Sequence, residues 1–523
     1  MHRILISDPL DPSGLEILRA SGAFVHELTK EERPRLHELI ADYDALVVRS
    51  MTKVDAALLR AGKQLKVVGR AGIGVDNVDV PVATELGILV VNAPTANLLS
   101  ATEHTFALLL AVARFVPAAD ASMKSGEWDR KSFLGVELQG KTLGVVGFGR
   151  IGQRVAMRAK AFEMSVLAYD PFLDAQVARR VDAEPVELED LLRRADVVTL
   201  HTPLTEQTRN MLDARRLALM KPGALIVNCG RGGLIDEPAL LAALASGQIA
   251  GAGLDVYSEE PPVDFALMRH PRVVATPHIG AQTREAQERI STETAHMLIA
   301  ALEGSTAVTA VNLPFAPAGS RGEPYLRLGE QLGRLAGALA GGSLKRVQVD
   351  LWGVDEALRR PVSVAVLKGA LTPFLGDSVN YVNAEIVAAS RGIEVVRATH
   401  AEAGEYSPLV GVVIESSGGT ADIAGTLFGE RDARIVRFSG FRLEFHASGK
   451  LLVLRNRDVP GVVGRIGTLL GDSGINIAEI HLARREGDEN ALAVLRLDQE
   501  PDASLMKKLS ALGDVVDARA IVL

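Results

Sequence analysis

The chain has 523 residues, too many for one hydrophobic core, so about three or four domains are expected. Apolar residues at 47% and charged residues at 23% exclude a disordered chain, and 65 acidic against 57 basic side chains, a formal charge of -8, argue against a nucleic-acid binder. The single cysteine, Cys229, excludes an intrachain disulfide, Met1 to Leu10 holds no signal-peptide core, and no apolar run approaches the about 18 residues of a membrane span, so the expectation is a cytoplasmic protein with no metal and no membrane partner.

The first strands expected are Ile4 to Ile6, Ala45 to Val48, Lys66 to Val68 and Leu89 to Val91, alternating with helical stretches as in a parallel α/β sheet. Apolar spacing is helical from Thr102 to Ala119. Thr142 to Val146 then opens a second α/β series, with later strands at Ser165 to Tyr169, Val197 to Leu200, Ala224 to Val227, Ala252 to Asp255 and Val273 to Thr276. A helix from Arg284 to Leu302 follows, and the Pro-, Ala- and Gly-rich stretch Leu313 to Gly322 marks a domain boundary. Beyond it, a helix from Leu326 to Ala340 and extended segments at Arg346 to Trp352, Leu409 to Ser416 and Arg434 to Phe445 predict a third, mixed α/β unit. The last stretch predicts strand Leu451 to Arg455, a helix begun by Asp458-Val459-Pro460 and reaching about Leu470, two strands meeting at Glu486 to Asn490, a helix opened by Pro501, and strand Val515 to Val522. That order is ferredoxin-like.

Gly147-Phe148-Gly149-Arg150-Ile151-Gly152 directly follows a predicted strand and opens a helical run, the context in which G-x-G-x-x-G cradles a dinucleotide. The first glycine permits the tight turn, the second lets backbone approach pyrophosphate, and the third lets helix pack on strand. Asp170 ends the next strand, 18 residues after Gly152, where a carboxylate takes the ribose hydroxyls and repels a 2′-phosphate, favouring NAD over NADP. It also suits the start of a turn before Pro171.

Downstream, Arg231, Glu260 and His278 each lie in a loop just past an apolar strand, where parallel sheets build their sites. Arg231 can grip a carboxylate through two parallel bonds, His278 can exchange a proton near neutrality, and Glu260 would hold the imidazole and favour its protonated form. Singly, each also reads as a strand-end cap or a surface charge. As an ordered set they suit hydroxy-acid oxidation. Cys229 is read as packing beside the cofactor, since hydride transfer needs no covalent nucleophile.

The segments Val145 to Gly152, Asn228 to Asp236, Asp255 to Pro262 and Thr276 to Gly280 resemble the D-isomer-specific 2-hydroxyacid dehydrogenase family. Val48-Arg49-Ser50, Arg70 to Asn77 and Asn92-Ala93-Pro94 resemble the branch that acts on 3-phospho-D-glycerate. The resemblance implies an α/β fold: a Rossmann-type NAD domain (98–282) inserted in a flavodoxin-like substrate domain (1–97 and 283–314), then a mixed α/β intervening domain (315–448) and a ferredoxin-like ACT domain (449–523). It implies substrate contacts at Arg49, Arg70, Gly72, Asn97, Arg231 and His278, with Arg130 reaching a neighbouring subunit's site. Implied cofactor contacts are Ile73, Gly147, Gly149, Arg150, Ile151, Gly152, Asp170, Thr202, Cys229, Gly230, Arg231, Asp255, His278, Ile279, Gly280 and Ala281. Ile73 stands where many relatives carry threonine, so its contact would be apolar or through backbone.

The implied reaction is NAD-dependent oxidation of 3-phospho-D-glycerate to 3-phosphooxypyruvate, the first step of L-serine biosynthesis, in a homo-oligomer, a tetramer. The alternatives are a glyoxylate or hydroxypyruvate reductase, or another D-2-hydroxyacid dehydrogenase, and, from another class, a non-enzymatic NAD-sensing binding protein. Arg457 to Gly464 and Gly474 to Ile477 resemble an ACT module, which pairs with copies of itself, with Asp458 and Asn476 as implied contacts for an L-serine effector. Asp458 as a helix cap and Asn476 as a turn residue are the structural alternatives. In the intervening domain, Lys368, Arg391, Arg437 and Arg442 are the cations suited to an allosteric anion.

Overall fold

The computed structural model describes residues 1–305, 310–316, 318–401, 406–429 and 431–523. The expected boundary stretch Leu313 to Gly322 therefore includes one position, 317, outside the described residues. The chain divides into two compact units: Met1–Pro9, Glu16–Asn92 and Thr294–Leu523 form one, Leu10–Leu15 and Ala93–Glu293 the other.

The first unit begins with a parallel sheet of β1 (Arg3–Ile6), β2 (Phe24–Glu27), β3 (Ala45–Val48), β4 (Val67–Arg70) and β5 (Leu89–Asn92), in the order β2-β1-β3-β4-β5. That is the flavodoxin-like order. The four residues of β3 are all buried, which is why this strand reads as an unbroken apolar run. Strand β2 carries no such signal: it lies at the sheet edge, and none of Phe24, Val25, His26 and Glu27 is fully buried.

The second unit holds a seven-stranded parallel sheet: β6 (Thr142–Val146), β7 (Ser165–Tyr169), β8 (Glu184–Pro185), β9 (Val197–Leu200), β10 (Ala224–Asn228), β11 (Ile249–Leu254) and β12 (Val273–Ala275). Its order is β12-β11-β10-β9-β6-β7-β8, so the strand order reverses between β6 and β9. Doubly wound sheets bind ligands beyond the carboxyl ends of the strands at such a reversal. The run expected as one helix from Thr102 to Ala119 is two, Leu98–Arg114 and Val116–Lys124, broken at Phe115 with φ 57°. Pro117 is the cause, because its ring lacks an N–H and clashes with the carbonyl four residues back, while fitting the first turn of a new helix. No single helix among the described residues is long and apolar enough to cross a membrane.

The first unit continues with a six-stranded sheet of β13 (Leu344–Trp352), β14 (Glu394–His400), β15 (Leu409–Ser416), β16 (Gly419–Phe428), β17 (Asp432–Phe438) and β18 (Phe441–Phe445), ordered β14-β13-β15-β16-β17-β18. Only the β13–β14 pair is parallel. The segment expected as extended from Arg434 to Phe445 is a hairpin, turned at Ser439 and Gly440, both at positive φ. Helices Gly319–Ala340 and Glu356–Leu375 pack at backbone distance: a Cβ on Gly333 would lie 2.0 Å from the Val366 carbonyl oxygen.

The C-terminal sheet comprises β19 (Lys450–Arg457), β20 (Ile477–Arg484), β21 (Asn490–Leu497) and β22 (Val515–Val522), antiparallel in the order β20-β21-β19-β22. Alternation along β19 sends Leu452 and Leu454 toward helices Val462–Asp472 and Ala503–Ser510. Leu451 and Val453 point the other way and join one continuous core with Phe438, Phe441 and Phe445 of the preceding sheet. The first helix starts at Val462 after Gly461 in the left-handed region, so Asp458 does not cap it.

Candidate active site

The glycine loop follows β6. Gly147 has φ 90°, and a Cβ on Gly152 would lie 2.1 Å from the Gly147 carbonyl oxygen, so turn and helix close tightly there. A Cβ on Gly149 would meet nothing within 4 Å among the described residues, and no side chain caps helix Arg150–Ala161. An open backbone approach to an uncapped, 12-residue helix N-terminus fits the pyrophosphate of a dinucleotide. Arg150 and Ile151 form its first turn, and the His201–Thr202 backbone packs beneath Gly147.

Asp170 ends β7 and braces this loop: one oxygen accepts the Phe148 amide at 3.0 Å, the other the Phe172 amide at 2.9 Å. The carboxylate thus does the turn work open to it in the sequence as well as standing where ribose is expected. His201 is pushed down to about 4 by burial and stays neutral at physiological pH.

Arg231, Glu260 and His278 follow β10, β11 and β12, three neighbouring strands. His278 Nδ1 lies 2.6 Å from Glu260 Oε2, while Glu260 Oε1 accepts the Tyr257 amide at 3.0 Å. The imidazole is 44% exposed, and with Nδ1 turned to Glu260 its Nε2 faces away from that carboxylate. Asn228, buried at the end of β10, donates to the Arg231 carbonyl at 2.8 Å and accepts the Gly230 amide at 3.0 Å, fixing the course of the arginine loop. Sequence reasoning passed over Asn228. Its signal was an amide side chain closing an apolar strand immediately before the glycine-rich loop.

Asp255 is 1% exposed and accepts the amides of Ile279 and Gly280, each at 2.8 Å. Burial alone would raise its pKa, but hydrogen bonds from His104, the Thr276 hydroxyl and the Ile279 amide hold it below the usual carboxylate range. The Ala281 carbonyl accepts from Gln287 at 2.8 Å. Burial pushes the Cys229 thiol up to about 12, which leaves no thiolate for nucleophilic chemistry. Asn97 precedes helix Leu98–Arg114, with its Oδ1 buried and without a hydrogen-bond partner among the described residues, and Arg130 is exposed beyond helix Val116–Lys124.

In the other unit, Arg49 follows β3 and Arg70 closes the neighbouring strand β4. The Arg49–Thr52 turn is held from two sides. Asp8 accepts the amides of Arg49 at 2.7 Å and Thr52 at 3.1 Å, and Asn77 donates to both their carbonyls at 2.6 Å. Burial lowers the Arg49 pKa, and the adjacent Asp8 charge opposes that shift. At Gly72 the Arg70 guanidinium folds into the space a side chain would need, 1.6 Å from where a Cβ would sit. The Ile73 backbone carbonyl accepts from Asn92.

In the C-terminal sheet, Asp458 lies 3.1 Å from Arg484, and Asn476 donates to Asp498 at 2.8 Å. Lys368 pairs with Glu330 at 2.7 Å and Arg437 with Asp422 at 3.5 Å, so both cations are engaged internally; Arg391 and Arg442 are exposed. Among the described residues there is no His, Cys, Asp and Glu group that could hold a metal ion.

A glycine loop after β6, with Arg, Glu and His beyond three adjacent strands, is the build of an NAD-linked hydroxy-acid dehydrogenase. Residues 106–280 match the D-isomer specific 2-hydroxyacid dehydrogenase NAD binding domain, 322–439 the D-3-phosphoglycerate dehydrogenase intervening domain, and 450–514 the ACT domain. The D-3-phosphoglycerate dehydrogenase of Methanocaldococcus jannaschii is 42% identical over 528 residues, covering 100% of both chains. Among solved structures, a glyoxylate reductase from Paecilomyes thermophila (33% identity, TM-score 0.55) covers 59% of this chain and 98% of its own. The D-lactate dehydrogenase of Aquifex aeolicus, complexed with NAD and lactic acid (30% identity, TM-score 0.53), covers 58% and 96%. The chain belongs to the D-3-phosphoglycerate dehydrogenase family.

Proposed function

We propose that the chain oxidises 3-phospho-D-glycerate to 3-phosphooxypyruvate with NAD, the entry step of L-serine synthesis. The observation that carries the site assignment is the 2.6 Å contact of His278 Nδ1 with Glu260, which turns Nε2 outward as the proton acceptor. In this reading Nε2 takes the proton of the C2 hydroxyl and Glu260 stabilises the resulting imidazolium. Arg231 grips the substrate carboxylate through its planar fork. Arg49 and Arg70 supply the charge assigned to the phosphate, with Gly72, Asn97 and Arg130 as further substrate contacts. NAD, when bound, supplies the hydride acceptor. Gly147, Gly149 and Gly152 with the first turn of the following helix would hold its pyrophosphate, and Asp170 its ribose.

The expected domain limits support a division of labour in which the segments through 314 carry catalysis and those after it carry assembly and control. In this reading the protein is a cytoplasmic homotetramer, and its ACT module binds L-serine near Asp458 and Asn476. In the full-length protein, His278→Ala should abolish turnover of 3-phospho-D-glycerate while NAD still binds by calorimetry. Normal turnover would refute the assignment, and a marked preference for glyoxylate would favour the reductase reading.

A further inference from the structure

Helix Leu98–Arg114 carries one imidazole toward the carboxyl ends of β11 and β12. His104 Nε2 lies 3.0 Å from Thr276 Oγ1 and 3.2 Å from Asp255 Oδ1. The Thr276 hydroxyl itself donates to Asp255 Oδ1 at 2.6 Å, so both atoms facing Nε2 are acceptors and Nε2 carries a proton. Asp255 in turn accepts the amides of Ile279 and Gly280. One buried carboxylate therefore ties down the residue two positions before His278 and those one and two positions after it.

His278 itself has φ 53°, a left-handed backbone that a non-glycine residue keeps only where its surroundings over-determine it. The clamp around Asp255 supplies that determination, and His104 is the donor from outside the two loops that completes it. A leucine would fill the same space on this mainly apolar helix but would leave Thr276 Oγ1 without this donor and Asp255 Oδ1 with only the Thr276 hydroxyl and the Ile279 amide.

We infer that His104 is a positioning residue for the reaction: through Thr276 and Asp255 it holds the loop that keeps His278 in its left-handed conformation with Nδ1 on Glu260. This rests on the reading of His278 as the proton acceptor. A role confined to stability would lower the melting temperature and leave turnover intact at temperatures where the protein is folded. A positioning role lowers kcat with little change in KM and is restored by any side chain that returns the donor.

The test compares His104→Leu, His104→Gln and His278→Ala in the full-length protein, by steady-state kinetics with 3-phospho-D-glycerate and NAD well below each melting temperature. His104→Leu should lose about tenfold or more in kcat, with both KM values within about twofold, as small misplacements of a reacting group do. It should also show a larger solvent deuterium isotope effect on kcat, because proton transfer is the step made slower. His104→Gln, whose amide N–H can reach the position of Nε2, should recover most of the loss. A His104→Leu enzyme with normal kcat, or a His104→Gln enzyme as slow as His104→Leu, would overturn the inference. Should His104→Leu not fold, Thr276→Val removes the same link from the other side, and its normal turnover would be equally fatal. An active His278→Ala enzyme would bring down the underlying reading, whereas an inactive one beside a normal His104→Leu enzyme would bring down this inference alone.

Discussion

Glu260 divides its two oxygens between His278 and the Tyr257 backbone: Oε2 lies 2.6 Å from Nδ1, and Oε1 accepts the Tyr257 amide at 3.0 Å. The second bond fixes which way the carboxylate lies and hence which imidazole nitrogen faces away from it.

Replacing Glu260 by Gln should therefore do more than remove a charge. The Tyr257 N–H demands an acceptor, so the glutamine oxygen is directed there and its NH2 group is turned to His278 Nδ1. Nδ1 then becomes the acceptor and Nε2 carries the hydrogen, the wrong tautomer for taking a proton. A fall in kcat of about 10²- to 10⁴-fold is expected, with little change in melting temperature. Steady-state kinetics beside thermal unfolding checks it, and near-normal kcat would separate Glu260 from the chemistry.

Asp170→Ser should raise the ratio of kcat/KM for NADP to that for NAD by at least about tenfold, a change of about 1.4 kcal/mol in discrimination. The carboxylate repelling a 2′-phosphate is gone. Serine is also too short to serve both the Phe148 and Phe172 amides, so a modest drop in melting temperature should accompany the switch. Unaltered rejection of NADP would place discrimination elsewhere.

His201 predicts an acid-sensitive element of stability. In the unfolded chain it takes up a proton near the ordinary histidine value of 6.5, while in the folded chain burial delays uptake to about 4. Between those values only the unfolded state is protonated there, so stability falls as pH drops from 6.5 toward 4 and this contribution is flat above that window. His201→Gln should show a shallower loss in denaturant titrations at pH 7 and pH 4.5. An identical slope would mean that His201 does not contribute.

Deleting everything after Ser448 is expected to damage more than control. Leu451, Val453, Leu492, Val494 and Ile521 lie in the same core as Phe438, Phe441 and Phe445, and Phe445 meets His481 at 5.9 Å between ring centroids. Removing the last sheet would bare that apolar face. The truncated protein should aggregate or lose a cooperative transition in calorimetry, so Asp458→Ala in the full chain is the cleaner probe of L-serine. It should weaken serine binding while leaving the KM for NAD near normal. A monomeric, fully cooperative truncation product would contradict the shared core.

What the sequence determined by itself is what short-range chemistry encodes. The buried parallel strands are visible as apolar runs because both faces of those sheets are covered, and the glycine loop is visible because its turn and close packing admit little else. Arg231, Glu260 and His278 are visible as candidates because each stands just past such a run. The elements that escaped are those without a clean apolar pattern. Strands β2 and β14 sit at sheet edges with mixed polarity, and helix Glu356–Leu375 has no one-sided pattern because Val362 to Leu371 is almost entirely buried, while Pro361 and Pro373 argue against a helix. The supporting side chains escaped for another reason, that their partners lie far along the chain. Asp8 and Asn77 brace Arg49 from 41 and 28 residues away, and His104 reaches Thr276 across 172. Periodicity reports which face a residue presents, not which distant loop it meets, so only the tertiary structure could decide that Asp8 and Asn77 hold the Arg49 turn, that His104 meets Thr276, and that Leu451 and Val453 of the last sheet share a core with Phe438 and Phe445.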